Sequence, residues 1–284
     1  MDALFRDLER KGKVLVFGHR GFSQDYPENT MLSFNKCADN PLIDGVELDV
    51  HVCRSGEVVV AHDFSLKRTA GLDCEIEDLS LDELRQIDVG SFKDSRFSDA
   101  RIPLLRELFS AFGERFYYDI ELKVKAGRVN KELSRKVIDL ISEFKLWPRV
   151  LVSSFNPLAL RAFRSECRSY GHVAVPPAAD IFARSKDIPK MLWNGAGHLA
   201  SRSSYQKPEY KQIDSAYLRS HGRLPIITWT VNTESDALGM LELNSFRMHE
   251  IADRPLLNAT AFNPPSRTAM VFSSSRTVGF PQRL

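Results

Sequence analysis

The strongest constraint on this chain is the repeated alternation of short apolar runs with longer segments of helical periodicity. That order is the pattern of a parallel sheet covered by helices, because each strand is buried on both faces and each crossover needs room for a helix. The strand candidates are Val14 to Gly18, Gly45 to Val52, Glu57 to His62, Phe116 to Val124, Val150 to Phe155, Gly171 to Val175, His198 to Ser201, Leu224 to Val231 and Glu250 to Ala252. Helices are predicted over Asn29 to Ala38, Lys131 to Phe144, Pro157 to Cys167, Tyr210 to His221 and Glu234 to Leu243. With 284 residues, 43% of them hydrophobic, the chain can fill one large core of the size a (β/α)8 barrel requires.

The stretch from about 64 to 115 breaks the rhythm. It is rich in acidic residues and short helix signals, among them Ser80-Leu81-Asp82-Glu83, which reads as a capping box. The expected architecture is therefore α/β, a TIM (β/α)8 barrel over residues 1–262, with a small insertion after the second βα region. Residues 263–284 are Pro-, Ser- and Arg-rich and are expected to form a flexible C-terminal tail.

Charge excludes more than it selects. Lys plus Arg number 39 and Asp plus Glu 37, with the basic residues scattered, so no nucleic-acid partner is expected. No run approaches the ~18 apolar residues of a membrane span. The charged N-terminal segment lacks the apolar stretch of a signal peptide, and a cytoplasmic location is expected. Cys37, Cys53, Cys74 and Cys167 follow neither a metal-binding nor a disulfide spacing, which points to reduced thiols.

Two strands carry the chemistry. In Val46-Glu47-Leu48-Asp49-Val50 the carboxylates share one face and the apolar residues the other, and Tyr118 to Val124 repeats this with Asp119, Glu121 and Lys123. Like charges on the inner face of a barrel conflict unless something positive joins them. Glu47 and Asp49, with Glu121 as a third oxygen donor, suit one divalent ion, Mg2+ or Ca2+ ahead of Mn2+, and all of these better than zinc. A structural ion-pair network is the alternative reading. His19 and His62 each end a strand candidate, where a barrel places its active site, and a histidine pair can take one proton and return another. Arg20 offers a planar fork for phosphate oxygens and Lys123 a compact charge; for Arg20 a salt bridge to Glu28 or Asp25 is the alternative. Glu28 and Asn29 are expected to be structural, Asn29 as a helix cap. Trp229 shares the inner parity of its strand with Ile227 and is either a wall for substrate or a core aromatic.

Seven segments carry a resemblance: GHRGFSQDYPENTMLSF (18–34), GVELDVHVCRSGEVVVAHD (45–63), IDVGSFKDSRFSDARIPLLRELF (87–109), DIELKVK (119–125), LVSSFNPLALRAFR (151–164), ITWTVNT (227–233) and IADRPLL (251–257). In this order they resemble the glycerophosphodiester phosphodiesterase family. The resemblance implies a TIM barrel with an insertion and a divalent ion held by Glu47, Asp49 and Glu121. It implies His19 and His62 as general base and acid, and Arg20 and Lys123 on the phosphate. The implied reaction converts a small-molecule glycerophosphodiester, such as glycerophosphocholine or glycerophosphoethanolamine, to glycerol 3-phosphate and an alcohol. The attacking group is then either water or a substrate hydroxyl. Two alternatives remain: a phosphodiesterase of lysophospholipids or sphingolipid-type diesters, and a non-catalytic phosphoester-binding protein. The chain departs from the family around residues 198–203, 249–255 and in the tail.

Overall fold

A computed structural model describes residues 15–170, 178–182, 197–214, 217–218, 226–232 and 268–272. Its strands are β1 (Leu15–His19), β2 (Gly45–Val52), β3 (Val58–Val60), β4 (Tyr117–Leu122), β5 (Val150–Ser154), β6 (Ala178–Phe182), β7 (Tyr205–Pro208), β8 (Ile226–Thr228) and β9 (Thr268–Phe272). All except β3 run parallel, in the order β1-β9-β8-β7-β6-β5-β4-β2, and β2 pairs back onto β1. The ring of eight parallel strands is thereby closed, which is the expected TIM barrel.

β3 departs from the βα rhythm. It pairs antiparallel with β2, Val50 opposite Val60, because Arg54 to Glu57 is too short to hold a crossover helix. Gly56 makes this turn with φ +95, a left-handed conformation that suits glycine. The hairpin then leads into the insertion, whose short helices Lys67–Ala70 and Leu81–Leu84 precede the crossover helix α1 (Leu105–Phe112). The Ser80 to Glu83 capping box is formed as predicted. The insertion has its own apolar cluster, in which Leu66, Ile76, Leu84, Val89 and Ile102 pack against Val59 and Cys53 of the hairpin.

Three sequence expectations are corrected. His198 to Ser201 is part of a helix, Gly197–Ser201, and the strand follows it at Tyr205–Pro208. The isolated apolar pair Leu199-Ala200 does not alternate as a half-buried strand must, and Leu199 is 74% exposed. The expected tail contains β9: Thr-Ala-Met-Val-Phe is a β-prone run, and it fills the gap between β8 and β1 with Ala269 opposite Leu15. Asn29 is not the cap of helix Met31–Ala38; Thr30 is, accepting from Ser33 N–H at 3.3 Å. The strand candidates Gly171 to Val175 and Glu250 to Ala252, and the helix candidate Glu234 to Leu243, lie outside the described residues.

Side-chain alternation divides the core in two. Val46, Leu48 and Val50 of β2, with Tyr118, Ile120 and Leu122 of β4, face outward onto a helix layer that includes Leu108, Val137, Ile141 and Phe163. Inside, Leu15, Phe17, Tyr117, Leu151, Ala179, Tyr205 and Ile227 form an apolar floor. One residue further along each strand's inner parity the lining turns polar, with Glu47, Asp119, Ser153 and Lys207, all buried. The floor excludes water from below, so the polar layer opens only toward the strands' C-terminal ends.

Candidate active site

Strand register assembles the acidic centre. Glu47 is opposite Asp119 and Asp49 opposite Glu121 on the adjacent β2 and β4. One carboxylate oxygen each from Glu47, Asp49 and Glu121 lies within 4.8 Å of the others, and all three residues are buried. The predicted ligand set is thus brought together. Asp119, on the same face, is held apart: Ser153 Oγ donates to its Oδ1 at 2.6 Å, and Lys207 Nζ lies 2.8 Å from its Oδ2.

These residues fit a divalent cation. Four buried carboxylates, Glu47, Asp49, Asp119 and Glu121, face three cations, Arg20, Lys123 and Lys207, so the cations are one short of balancing four ionised carboxylates. Asp49 Oδ1 accepts no hydrogen bond, although Lys123 Nζ is 3.4 Å away. Burial and then the neighbouring Asp49 push the Glu47 carboxyl well above its ordinary value. Asp49 goes the other way. Its burial would raise it, but Lys123, His62, Arg20 and the Asn29 hydrogen bond together hold it below the carboxylate range. A pair so divided between protonated and ionised is what two carboxylates do when they share a site without enough positive charge.

The loop after β1 delivers the next groups. Arg20 has φ 55 and Gly21 φ 78, and this left-handed turn lets Arg20 N–H donate to both Glu47 O (2.9 Å) and Glu47 Oε2 (3.1 Å). A Cβ on Gly21 would meet Ser33 at 2.3 Å, so only glycine fits that turn. His19 Nε2 is 3.7 Å from Glu47 Oε2. Burial, and then Arg20, lower the His19 pKa well below the imidazole range, leaving it neutral at pH 7. The Arg20 guanidinium reaches Glu28 at 3.3 Å and Asp49 at 3.5 Å, so the ion pair to Glu28 weighed from sequence is present, in addition to a place at the centre. Lys123 Nζ donates to Glu121 at 2.8 Å; burial opposes its charge, but Glu121 and Asp49 outweigh burial and keep it protonated.

His62 follows β3 at the edge of the insertion. Its Nδ1 is 2.5 Å from Asp63 Oδ1, and Asp63 is held ionised by that hydrogen bond first and by Arg68 after it. An ionised carboxylate can only accept, so Nδ1 carries the hydrogen and Nε2 is left for chemistry. A recess of about 560 Å3 opens between His62, Phe64, Arg68 and Lys123 at the barrel mouth. Trp229 packs on the apolar floor, meets Phe155 edge-on at 5.7 Å and donates its indole N–H to Lys207 O at 2.9 Å. Its role as a core aromatic is satisfied whether or not it also meets a ligand.

Sequence reasoning missed four contributors. Asn29, in a left-handed turn at φ 54, donates to Asp49 Oδ2 at 2.8 Å. Asp63 and Arg68 support His62, and their nearness to it in sequence was the available signal. Lys207 gave no signal, because the strand that carries it was placed seven residues too early.

Residues 19–246 match the family model described as the glycerophosphoryl diester phosphodiesterase family. A glycerophosphodiester phosphodiesterase of Caldanaerobacter subterraneus is 35% identical over 150 residues, 52% of this chain and 61% of that protein. The chain thus spans about three fifths of the length of that relative. A phosphodiesterase from Oleispira antarctica, solved with the product sn-glycerol-3-phosphate, is 25% identical with a TM-score of 0.66, covering 81% of this chain and 89% of that one. The glycerophosphodiester phosphodiesterase of Thermotoga maritima shares the fold, with a TM-score of 0.61 at 23% identity over 92% of this chain and 95% of that one.

Proposed function

The chain belongs to the glycerophosphoryl diester phosphodiesterase family, and from that premise we propose that it hydrolyses small glycerophosphodiesters, such as glycerophosphocholine or glycerophosphoethanolamine, to glycerol 3-phosphate and an alcohol. The observation that carries this reading is the convergence, at the barrel mouth, of a buried three-carboxylate cluster with two histidines and two cations. Binding alone would need the cations but not the histidine pair.

In this reading Glu47, Asp49 and Glu121 hold one divalent ion, Mg2+ or Ca2+ ahead of Mn2+, which when bound supplies Lewis-acid polarisation of the phosphate. Arg20 and Lys123 orient the phosphate and stabilise the charge that grows on its oxygens. His19, kept neutral by burial and by Arg20, accepts the proton from the attacking hydroxyl as the new P–O bond forms. His62, its Nδ1 spent on Asp63, gives a proton from Nε2 to the leaving alkoxide as the old P–O bond breaks. Trp229, edge-on to Phe155, offers an apolar wall for the substrate. No helix among the described residues is long and apolar enough to cross a membrane, and the substrate class fits a water-soluble diester reaching a protein in the cytoplasm.

Release of glycerol 3-phosphate from glycerophosphocholine tests the proposal, measured with each divalent ion and with chelator. Metal-dependent release is expected. Turnover of lysophospholipids in preference to water-soluble diesters would instead favour the lipid reading, and tight binding of phosphodiesters without turnover the non-catalytic one.

A further inference from the structure

Among the described residues, Lys207 is a buried charge that the proposed reaction leaves unexplained. It projects from β7 into the closed barrel, 3% exposed, above an apolar floor. It reaches across the interior to β5, donating to Ser153 Oγ at 3.3 Å, and to β4, 2.8 Å from Asp119 Oδ2. Glu47 Oε1, on β2, is 4.0 Å away. Burial works against its charge, and Asp119 and Glu47 outweigh burial to keep it protonated. Catalysis as proposed above uses neither Lys207 nor Asp119. A barrel could fill this layer with apolar side chains, which usually costs less than burying an ion pair.

The placement has a specific consequence. Asp119 has the same inward parity as Glu121 and stands directly opposite Glu47 across the strand pair. With no partner it would be a fourth carboxylate at the edge of the cluster. Ser153 and Lys207 engage its two oxygens, while the same ammonium places a fixed positive charge 4.0 Å from Glu47. We propose that Lys207 is a positioning residue that sets the charge and ligand number of the divalent-ion site, limiting it to Glu47, Asp49 and Glu121 and holding its affinity down. The inference rests on the three-carboxylate reading of the site. The chemical logic is that a buried cation a few ångströms from a ligand repels an incoming dication, and its removal frees a carboxylate that attracts one.

Charge removal on either side of the pair must then move metal affinity in opposite directions. Lys207→Met leaves Asp119 unneutralised, and Asp119→Asn leaves Lys207 unneutralised. At the effective dielectric of a protein interior either imbalance is large enough to change divalent-ion affinity about tenfold or more. The full chain is stripped with chelator and titrated with Mg2+ and with Ca2+, reading heat and the metal-induced rise in unfolding temperature. The expected result is binding about tenfold tighter in Lys207→Met, about tenfold weaker in Asp119→Asn, and within about threefold of the parent in the double variant, where the charges cancel. If Lys207→Met does not fold, Asp119→Asn and the double variant decide the sign by themselves. A parent protein that binds the ions while both foldable single variants keep its affinity would overturn the inference and leave the site intact. A parent that binds neither ion would bring down the metal reading and this inference with it.

Discussion

Arg68 holds Glu28 through both terminal nitrogens, NH2 to Oε1 at 2.6 Å and NH1 to Oε2 at 3.0 Å. The pair joins the insertion to the loop that follows the first barrel strand, forty residues earlier. Arg68 Nε also donates to Asp63 at 2.7 Å, and Glu28 accepts from Arg20 at 3.3 Å. One guanidinium therefore braces, through one carboxylate each, the proposed general acid His62 and the proposed phosphate ligand Arg20. The insertion is part of the site's frame as well as its lip.

Replacing Arg68 by Ala is expected to lower kcat by about 10- to 100-fold while KM changes less, because the reacting groups lose alignment. Arg68→Lys should recover little, since a lysine cannot reproduce the planar fork that serves two carboxylates at once. Steady-state kinetics beside a thermal melt checks this. A fall in melting temperature with unchanged kcat would reduce Arg68 to a stabilising surface contact.

Asn29 allows the backbone and the side chain to be tested apart. Both Asn29→Gly and Asn29→Ala remove the donor to Asp49 Oδ2, but only the alanine also strains the left-handed turn, by about 1 kcal/mol. Both variants are expected to bind the divalent ion about 10- to 100-fold more weakly, as loss of a group that orients a ligand does. The alanine variant alone should also melt clearly lower. Unchanged ion affinity in the glycine variant would mean that Asp49 needs no such support.

The inner faces of β2 and β4 were legible because alternation is a local property. Glu47, Asp49, Glu121 and Lys123 could be assigned to one side from period two alone, and strand adjacency then brought them together. What alternation cannot say is which carboxylate is already taken. Asp119 has the same parity as Glu121, and its removal from the cluster depends on Lys207, three strands away around the barrel. β7 itself reads poorly because Tyr-Gln-Lys-Pro is half polar, its lysine being buried only by virtue of partners distant in sequence. β9 was hidden for a related reason. Thr268–Phe272 is a short β-prone run in a Ser- and Pro-rich context, and only the open edges of β8 and β1 give it a place.

Glu47 gives a pH dependence with a definite sign. Its carboxyl is raised by burial and by Asp49, so folding favours the proton. In the ion-free protein this contribution to stability is full below the ordinary glutamate value of about 4.5 and is lost as pH rises through the raised value of Glu47. An ion must displace that proton, so divalent-ion affinity should increase with pH across the same window, with up to one proton released per ion. Calorimetric titration in buffers of different ionisation enthalpy measures the release. Proton-neutral binding throughout would show that Glu47 is already ionised before the ion arrives.

The division of labour between the histidines makes a last prediction, for which the leaving group is the probe. His19→Ala and His62→Ala are each expected to lower turnover of glycerophosphocholine by about 10²- to 10⁴-fold without loss of fold, the usual worth of a positioned acid or base. They should differ once the leaving group no longer needs a proton. With a nitrophenyl glycerophosphodiester the departing phenolate is stable by itself, so His62→Ala should recover most of the parent rate, while His19→Ala, still lacking the base, should not. The geometry supports that order, since His19 is kept neutral by burial and Arg20, whereas Asp63 fixes a hydrogen on His62 Nδ1 and leaves Nε2 for the departing group. Recovery by His19→Ala instead would exchange the two roles, and recovery by neither would mean that both histidines act before the leaving group departs.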